Sequence, residues 1–218
     1  MIRLVTRLLA TLAVVLLPLP GGAQMTGPSI DLATATVGAT PPGFEFGRTG
    51  QGKPGQWLVA EDATGAQGRA IAQTNGDTTD NRFPLAIWQG VSAKNVEVTL
   101  RFKPIGGKVD QAGGIAVRVK DALNYYVVRA NALEDNVRLY AVIDGDRRQF
   151  AGKAVKVATN QWHTLRLRVI GDRFAVFFDG ANLFEATDKR IAEPGRVALW
   201  SKADSVTEFV DLAIEPLP

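Results

Sequence analysis

The sequence predicts an all-β protein, and three observations support this. Short runs of alternating apolar and polar residues recur through the second half of the chain. Asp-Gly or Gly-Asp pairs separate several of them, and no window shows a helical period longer than two turns. Alternation with period two places one face of a strand in a core and the other in water. Many short antiparallel strands at regular spacing are typical of a β-sandwich or a β-barrel.

The alternation is clearest in residues 96–103 and 164–169, where every second side chain is apolar. Asp144-Gly145, Gly171-Asp172 and Asp179-Gly180 supply the positive φ that tight hairpin turns require. Residues 181–190 could be mistaken for a helix, but the preceding Asp179-Gly180 turn favours a strand. The other predicted strands are 115–120, 125–131, 137–142, 173–178, 183–186, 197–200 and 209–214.

The amino terminus is typical of a signal peptide. Arg3 and Arg7 precede the apolar run 8–17, and Gly21 and Ala23 provide small residues for cleavage after Ala23. The run is about half of the roughly 20 residues that a membrane span needs. We therefore expect a signal peptide at 1–23, a tail at 24–43 that includes at most one edge strand, and a single domain at 44–218. We also expect export to a bacterial periplasm or the exterior, with no stable membrane anchor after cleavage.

Composition excludes several function classes. The 218 residues include no cysteine, which rules out disulfides, zinc–thiolate sites and cysteine catalysis. Removing the signal peptide lowers the formal net charge from +3 to about +1, because the segment contains two arginines and no acid. The basic residues are interspersed with acids, so nucleic acid is not an expected partner. His163 is the single histidine, and we expect a structural role for it.

Polar side chains on two predicted strands suggest a ligand site. Tyr125, Arg129 and Asn131 share one face of the run 125–131, and Arg118 lies on the non-core face of the run 115–120. Planar polar groups and aromatic faces suit sugar recognition, through paired hydrogen bonds and stacking on C–H faces. We expect this face to be exposed or concave, and Arg129→Ala to weaken binding with little loss of stability. The alternative is a cross-strand polar ladder on a solvated face.

Three nearby segments supply further candidates. The segment Asp110-Gln111-Ala112-Gly113-Gly114 places polar side chains before glycines that permit close approach of a ligand or of another backbone. Glu134 and Asn136 could complete a polar pocket, or could be turn residues. Lys202 and Asp204 lie in a loop after a predicted core strand, where they could contact a sugar or form an internal salt bridge. The ligand-binding candidates are Gln111, Arg118, Tyr125, Arg129, Asn131, Glu134, Asn136, Lys202 and Asp204.

From about Gly43 to Glu215 the chain resembles the exported domains named after 3-keto-disaccharide hydrolases, which are related to laminin-G-like domains and to glycoside hydrolases of family sixteen. The ordered set of residues, rather than any one motif, carries the resemblance. It comprises Asp110–Gly114, Arg118, Asn124-Tyr125-Tyr126, Arg129, Asn131, Glu134, Asn136, Trp162-His163, Asp179-Gly180 and Leu199–Ser205.

The resemblance implies a two-sheet antiparallel jelly-roll sandwich of the concanavalin A-like kind, with a sugar-facing concave sheet. Its name implies hydrolysis of oxidised disaccharides. However, the alternating Glu-x-Asp-x-x-Glu carboxylates of family sixteen are absent, which argues against two-carboxylate glycoside hydrolysis. Jelly rolls of this kind often hold one Ca²⁺ ion, for which Asp211 or an acid near Asp31 would serve.

Three functions remain open at this point. The first is an exported, carbohydrate-binding jelly-roll domain. The second is a hydrolase or lyase that cleaves 3-keto-glycosides, with Glu134 or Asp110 as the base and Arg129 or Lys202 as the oxyanion stabiliser. The third is a laminin-G-like structural or protein-interaction domain. A cleft with converging arginine, asparagine and tyrosine side chains favours the first two.

Overall fold

The structure, a computed structural model, describes residues 30–64 and 67–218. The predicted signal peptide and the first residues of the predicted tail lie outside the described residues. The described part forms fourteen β-strands in two seven-stranded antiparallel sheets. It contains no helix long and apolar enough to cross a membrane. The predicted fold class, an all-β two-sheet jelly roll, is confirmed.

We call the first sheet the front sheet. In spatial order it consists of β1 (Phe44–Gly50), β4 (Arg82–Ala93), β13 (Gly195–Ser201), β6 (Ala112–Asp121), β7 (Asn124–Asn131), β8 (Asn136–Ile143) and β9 (Asp146–Ala154). The back sheet consists of β12 (Ala181–Thr187), β11 (Arg173–Phe178), β10 (His163–Ile170), β5 (Val96–Gly106), β14 (Val206–Pro216), β3 (Arg69–Gln73) and β2 (Trp57–Glu61). All nine predicted runs fall within these strands. Residues 181–187 form a strand, as the preceding turn predicted.

The main core lies between the two sheets. Alternation along β5 and β10 directs residues such as Leu100 and Leu167 inward, and Tyr126 and Val128 of β7 meet them from the front sheet. Residues 30–43 form turns rather than an edge strand. They are nevertheless held against the sandwich, because Ile30 and Leu32 are buried in the core and the Gly38 N–H donates to the Val59 carbonyl at 2.8 Å.

A second apolar layer covers the opposite face of the front sheet. It comprises Phe83, Leu85, Ile87, Ala112, Ala116, Val119, Tyr125, Val127, Tyr140, Val142, Ala198 and Trp200, all buried. The central strands of the front sheet are therefore buried on both faces. Their outward-pointing side chains do not meet solvent as those of a half-exposed antiparallel sheet would.

The front sheet is strongly curled, and this curvature explains the second layer. The Arg147 guanidinium on β9 lies 4.4 Å from the ring centroid of Phe83 on β4, although five strand spacings separate these strands. In a flat sheet they would be roughly 24 Å apart. Thr49 on β1 likewise reaches the Tyr125 hydroxyl on β7, at 2.6 Å. The outer face of the front sheet is therefore concave, and we call this concavity the hollow. The apolar side chains of the second layer fill most of it.

Candidate functional site

Six of the predicted site residues meet at one end of the hollow, and we call them the rim cluster: Asp110, Arg129, Asn131, Glu134, Asn136 and Lys202. Antiparallel pairing brings them together, because β7 and β13 end where β6 and β8 begin. The chain segments that supply them are therefore neighbours at this edge of the sheet, although they are far apart in sequence.

Arg129 is the centre of the cluster. Its Nη2 donates to Glu134 Oε2 at 2.8 Å and to the Tyr140 hydroxyl at 3.1 Å, and its Nη1 donates to Asn136 Oδ1. Glu134 also accepts from Asn136 Nδ2 at 3.1 Å. Burial alone would raise the pKa of Glu134, but the bond from Asn136 and the charge of Arg129 hold that pKa below its ordinary value. Glu134 is therefore an ionised, fixed carboxylate, and its side chain is 41% exposed.

Asp110 and Lys202 form a second ion pair behind the first. Lys202 Nζ lies 2.6 Å from Asp110 Oδ2 and 2.7 Å from Asp80 Oδ1. Asp110 Oδ1 accepts from Asn131 Nδ2 at 2.5 Å, which links this pair to β7. Burial raises the pKa of Asp110, an effect that Lys202 partly offsets. Burial opposes the charge of Lys202, but its two carboxylate partners raise its pKa above the ordinary value.

Asp204 supports the cluster from beneath rather than joining it. Its buried carboxylate accepts the backbone N–H groups of Lys108, Val109 and Asp110 at 2.6 to 3.2 Å. Although burial opposes its charge, these bonds lower the pKa of Asp204. The carboxylate therefore fixes the loop that carries Asp110, and it has a scaffolding role.

Two candidates lie away from the cluster. Arg118 does not share the outer face with Arg129, and that expectation is wrong. A positive φ of 49° and a register shift break the alternation of β6, and the buried guanidinium donates to the carbonyls of Lys94, Gly171 and Ile191. Gln111 turns to the opposite side, where its amide contacts Gly107 and Thr159.

The glycines of the Asp110–Gly114 segment serve internal packing. A Cβ atom on Gly113 would lie 2.8 Å from the Phe102 ring, and one on Gly114 would lie 2.5 Å from the Val128 carbonyl oxygen. The sequence left open whether these glycines permit close approach of a ligand or of another part of the protein. At both positions the close neighbour is part of the protein itself.

The face that carries Tyr125, Arg129 and Asn131 was expected to be exposed or concave. The three residues do share one face, but the curled sheet buries it. Tyr125 is fully buried, with its hydroxyl 3.2 Å from Trp200 Nε1, and burial raises its pKa to about 12. Arg129 is only 2% exposed. The exposure on which the expectation for Arg129→Ala was based is therefore wrong, and we now expect that variant to lose stability, because it would leave Glu134 and Asn136 without their shared partner.

Sequence reasoning missed the open part of the site, a groove of about 250 Å³ beside the rim cluster. It is lined by Glu134, Asp135, Asn136, Arg138, Gln149, Gly152, Lys153 and Ala154. Arg138 and Tyr140 share a face with Asn136, so the alternation in 137–142 could have identified them. Strand β9 has no apolar alternation at 146–149, and its contribution carried no such signal.

Arg147 was also missed by the sequence analysis, and its side chain covers the middle of the hollow. Its guanidinium lies 4.4 Å from the ring centroids of Phe83 and Tyr140 and 5.9 Å from that of Trp200. Burial lowers the pKa of Arg147. The side chain thus caps an aromatic platform next to the groove.

The expected structural role of His163 agrees with its contacts. Its Nδ1 lies 2.8 Å from Asp179 Oδ2, its Nε2 contacts the Ala158 backbone, and its ring stacks on Phe178. Among the calcium candidates, Asp211 pairs with Arg101 at 3.2 Å, and Asp31 accepts the Ala33 N–H. Within residues 30–64 and 67–218 no group of three or more acidic or histidine side chains is placed to hold a metal ion.

The fold is shared with other two-sheet jelly rolls. The carbohydrate-binding module CBM66 of Bacillus subtilis superposes with a TM-score of 0.60 at 23% identity, over 78% of this chain and 95% of that one. Domain 4 of the arabinanase AbnA of Geobacillus stearothermophilus, solved with arabinotriose, gives 0.55 at 17% identity, over 85% and 89%. The calcium-bound exoplasmic domain of VIP36 gives 0.59 at 13% identity, over 87% and 90%. The protein is thus similar in fold to lectin-type sandwiches and carbohydrate-binding modules.

The family assignment rests on the sequence. Residues 91–217, more than half of the chain, match the family model described as the C-terminal lectin domain of galactocerebrosidase, and the chain belongs to this family. A search of curated proteins found no significant match.

Proposed function

We propose that the protein is a carbohydrate-binding domain that holds a glycan in the groove beside the rim cluster. The observation that carries the proposal is the pairing of an open groove with polar groups that a buried network fixes in place. Membership of a lectin-domain family supports the same conclusion. The fold it shares with a carbohydrate-binding module is consistent with it.

The groove offers both acceptors and donors to sugar hydroxyls. Glu134 presents a half-exposed carboxylate whose orientation is set by Arg129 and Asn136. Arg138 Nη1 donates to Gln149 Oε1 at 2.7 Å, which fixes a guanidinium and an amide beside each other at the groove. Such preorganised planar groups lower the cost of ordering on binding. Neighbouring hydroxyls on one ring can then bond to both sides of the groove.

The charge states favour binding over catalysis. An efficient general base has a pKa near the working pH, but hydrogen bonding holds the pKa of Glu134 below its ordinary value. Asp110 is 1% exposed and bonded to Lys202 and Asn131, so it has little access to a substrate. Neither carboxylate has the environment of a proton-transfer residue.

Cleavage of 3-keto-glycosides is the second candidate, and the placement of Glu134 favours it. Its ionised carboxylate borders the groove, with the cation Arg129 directly behind it. The ketone at C3 acidifies the C2–H bond, so Glu134 would remove that proton and a cation would stabilise the enolate oxygen. The enolate would then expel the glycosidic oxygen from C1, which leaves as an alcohol with the proton that Glu134 returns, and addition of water at C1 would complete the hydrolysis. We rank cleavage below binding because the lowered pKa makes Glu134 a weak base.

A glycan-binding assay tests the proposal. The chain from Gln24 onward is screened against a polysaccharide array, and each positive glycan is titrated calorimetrically. We expect Glu134→Gln to weaken binding roughly tenfold or more, because a hydrogen bond to a charged group contributes about 1.5–3 kcal/mol. Arg168→Gln on the back sheet is the matched control and should bind normally. Unchanged affinity in Glu134→Gln would contradict the assignment of the groove.

The same preparation distinguishes the second candidate. Incubation with a 3-keto-disaccharide should leave the substrate intact if the domain only binds. Release of the monosaccharides, abolished by Glu134→Gln and retained by Arg168→Gln, would make cleavage the function.

We also propose that the domain acts after export, because residues 1–23 have the pattern of a signal peptide. Mass spectrometry of the exported protein should give a chain that begins at Gln24, within a residue or two. A mature form that retains Arg3 would contradict this.

A further inference from the structure

The distribution of charge in the hollow is uneven, and Arg147 is its clearest feature. The guanidinium rests on three aromatic rings, and its buried Nη1 has no hydrogen-bond partner. Among the residues that the structure describes, no carboxylate forms a salt bridge with Arg147. A buried charge is costly unless it is paired, so Arg147 is a candidate partner for an anionic group of a ligand.

Arg138 is a second cation with spare donors on the same face. Tyr140 pairs with Gln149 and Val142 pairs with Arg147 across β8 and β9, so Gln149 lies between the two arginines. The Nε of Arg138 is buried and has no hydrogen-bond partner. Its nearest acid, Glu134, is 3.9 Å away and already bonded to Arg129. Arg138 therefore lines the groove, and Arg147 lies beyond Gln149 on the same face of the sheet.

The other charges of the site are paired, and Asp135, the second acid that lines the groove, lies 2.9 Å from Lys156 Nζ. Arg129 is paired with Glu134, and Lys202 is paired with both Asp110 and Asp80. Lys153, exposed at the groove wall, adds a further positive charge. Together with their partners, the six cations of the site outnumber its four carboxylates by two: the cations are Arg129, Arg138, Arg147, Lys153, Lys156 and Lys202, and the acids are Asp80, Asp110, Glu134 and Asp135. A neutral sugar would leave this excess uncompensated.

We propose that the glycan bound in the groove is acidic, and that a uronic-acid carboxylate binds between Arg138 and Arg147. This inference rests on the proposed function, because it names the class of glycan for the same groove. A guanidinium matches the planar geometry of a carboxylate and can form two parallel hydrogen bonds to it. The carboxylate would bond to guanidinium nitrogens other than the buried Arg138 Nε and Arg147 Nη1, while Glu134 and Gln149 bind the sugar hydroxyls.

A matched pair of polysaccharides tests the carboxylate directly. Polygalacturonate and polymannuronate are each compared with a carboxyl-reduced form that keeps the same linkages, and sulfated carrageenan is a third arm. We expect at least tenfold tighter binding of one native uronan than of its reduced form, with affinity that falls as salt rises.

Equal or tighter binding of the reduced forms, or of neutral glycans alone, would overturn the acidic-sugar assignment but support a carbohydrate-binding function. Binding of carrageenan alone would overturn the carboxylate in favour of a sulfate ester. Binding of no glycan at all, on the array or here, would overturn the proposed function itself.

Two variants locate the carboxylate. Arg138→Gln removes one cation at the partly exposed groove wall, and Arg147→Gln removes the other. Each should reduce the preference for the native uronan about tenfold or more, while Arg168→Gln keeps it. Since Arg147 packs on aromatic rings, its variant is accepted only if it melts cooperatively, and Arg138→Gln provides the test independently. A preference that survives in Arg138→Gln would place the carboxylate elsewhere.

Discussion

The outer faces of the two sheets use charged residues in opposite ways. On the back sheet, Glu97 lies 3.4 Å from both Arg166 and Arg168, whose side chains are 37% and 48% exposed. These pairs lie on a face that alternates regularly between core and solvent. On the front sheet, the middle of the corresponding face is filled with apolar side chains, and Arg129 is buried at their edge.

The contrast shows how curvature changes the role of a polar residue. On the open back sheet, water can replace a lost partner, so the individual ion pairs contribute little. In the buried part of the curled front sheet, water cannot replace a lost partner, so a polar group such as Arg129 depends on its partners within the protein. We expect equivalent substitutions on the two faces to differ in cost by several kcal/mol.

The largest effect is expected for Trp200→Ala. Trp200 is fully buried in the hollow, and its ring stacks on Phe83 with centroids 5.5 Å apart. Truncation of such a side chain costs about 3–5 kcal/mol, because the surrounding residues cannot fill the cavity. Guanidinium denaturation measures the loss. Phe177→Ala, on the half-buried outer face of the back sheet, is the control and should cost much less. Similar losses for the two variants would contradict the existence of a second core.

A smaller, pH-dependent effect is expected for Asp204→Asn. The variant loses the charge that accepts three backbone N–H groups, at a cost on the order of 2 kcal/mol at pH 7. The pKa of Asp204 is lowered in the folded protein. Its stabilisation is therefore complete above the unfolded pKa of about 4 and is lost as pH falls towards the folded pKa.

The measurement for Asp204 compares unfolding free energies at pH 7 and at pH 3. The gap between the native protein and Asp204→Asn should narrow at the lower pH. Asp211→Asn removes one member of an exposed pair and should be close to neutral at both values. A gap that stays constant would mean that the carboxylate charge does not hold the loop.

The closure of the hollow predicts an effect of about 1 kcal/mol for Thr49→Val. The Thr49 hydroxyl bonds to the Ala122 carbonyl and to the Tyr125 hydroxyl, both at 2.6 Å, and so ties the edge strand β1 to β7. Valine has nearly the same shape but leaves the carbonyl unpaired. Thr99→Val on the outer face of the back sheet is the matched control and should lie within about 0.5 kcal/mol of the native protein in thermal unfolding.

The curvature of the front sheet also limits which features of the fold could be predicted from the sequence. Strict alternation identified β5 and β10, because their outer faces are wet. It also separated the two faces of β7 correctly, with Tyr126 in the main core and Arg129 on the other side. It did not reveal that both faces are buried, because curling is set by contacts such as that of Arg147 with Phe83, which join residues distant in sequence.

The candidate site could likewise be predicted only in part, because local spacing was informative and contacts between distant segments were not. Residues in one turn, Asn131, Glu134 and Asn136, could be grouped from their spacing. The placement of Lys202 against Asp110 follows from the pairing of β13 with β6, and the resemblance to a known family placed both among the candidates. Arg118 was misplaced because one residue with positive φ reverses the order of faces along β6. Arg147 was missed because a charged hairpin strand resembles an ordinary solvated one.

The smallest effect is expected for Arg168→Gln on the back sheet. The Arg168 side chain is 48% exposed, and its contact with Glu97 is 3.4 Å long. Glu97 keeps Arg166 after the substitution, so the unfolding free energy should change by less than about 0.5 kcal/mol. Any difference should vanish in molar salt, because screening then acts over about 3 Å. Arg147→Gln makes the same chemical change, but the Arg147 guanidinium packs on aromatic rings rather than against an exposed carboxylate, and salt does not screen that packing. Its effect on stability should therefore persist in molar salt. If the two variants responded alike to salt, the hollow would be as hydrated as the open face, and the distinction between the two sheets would fail.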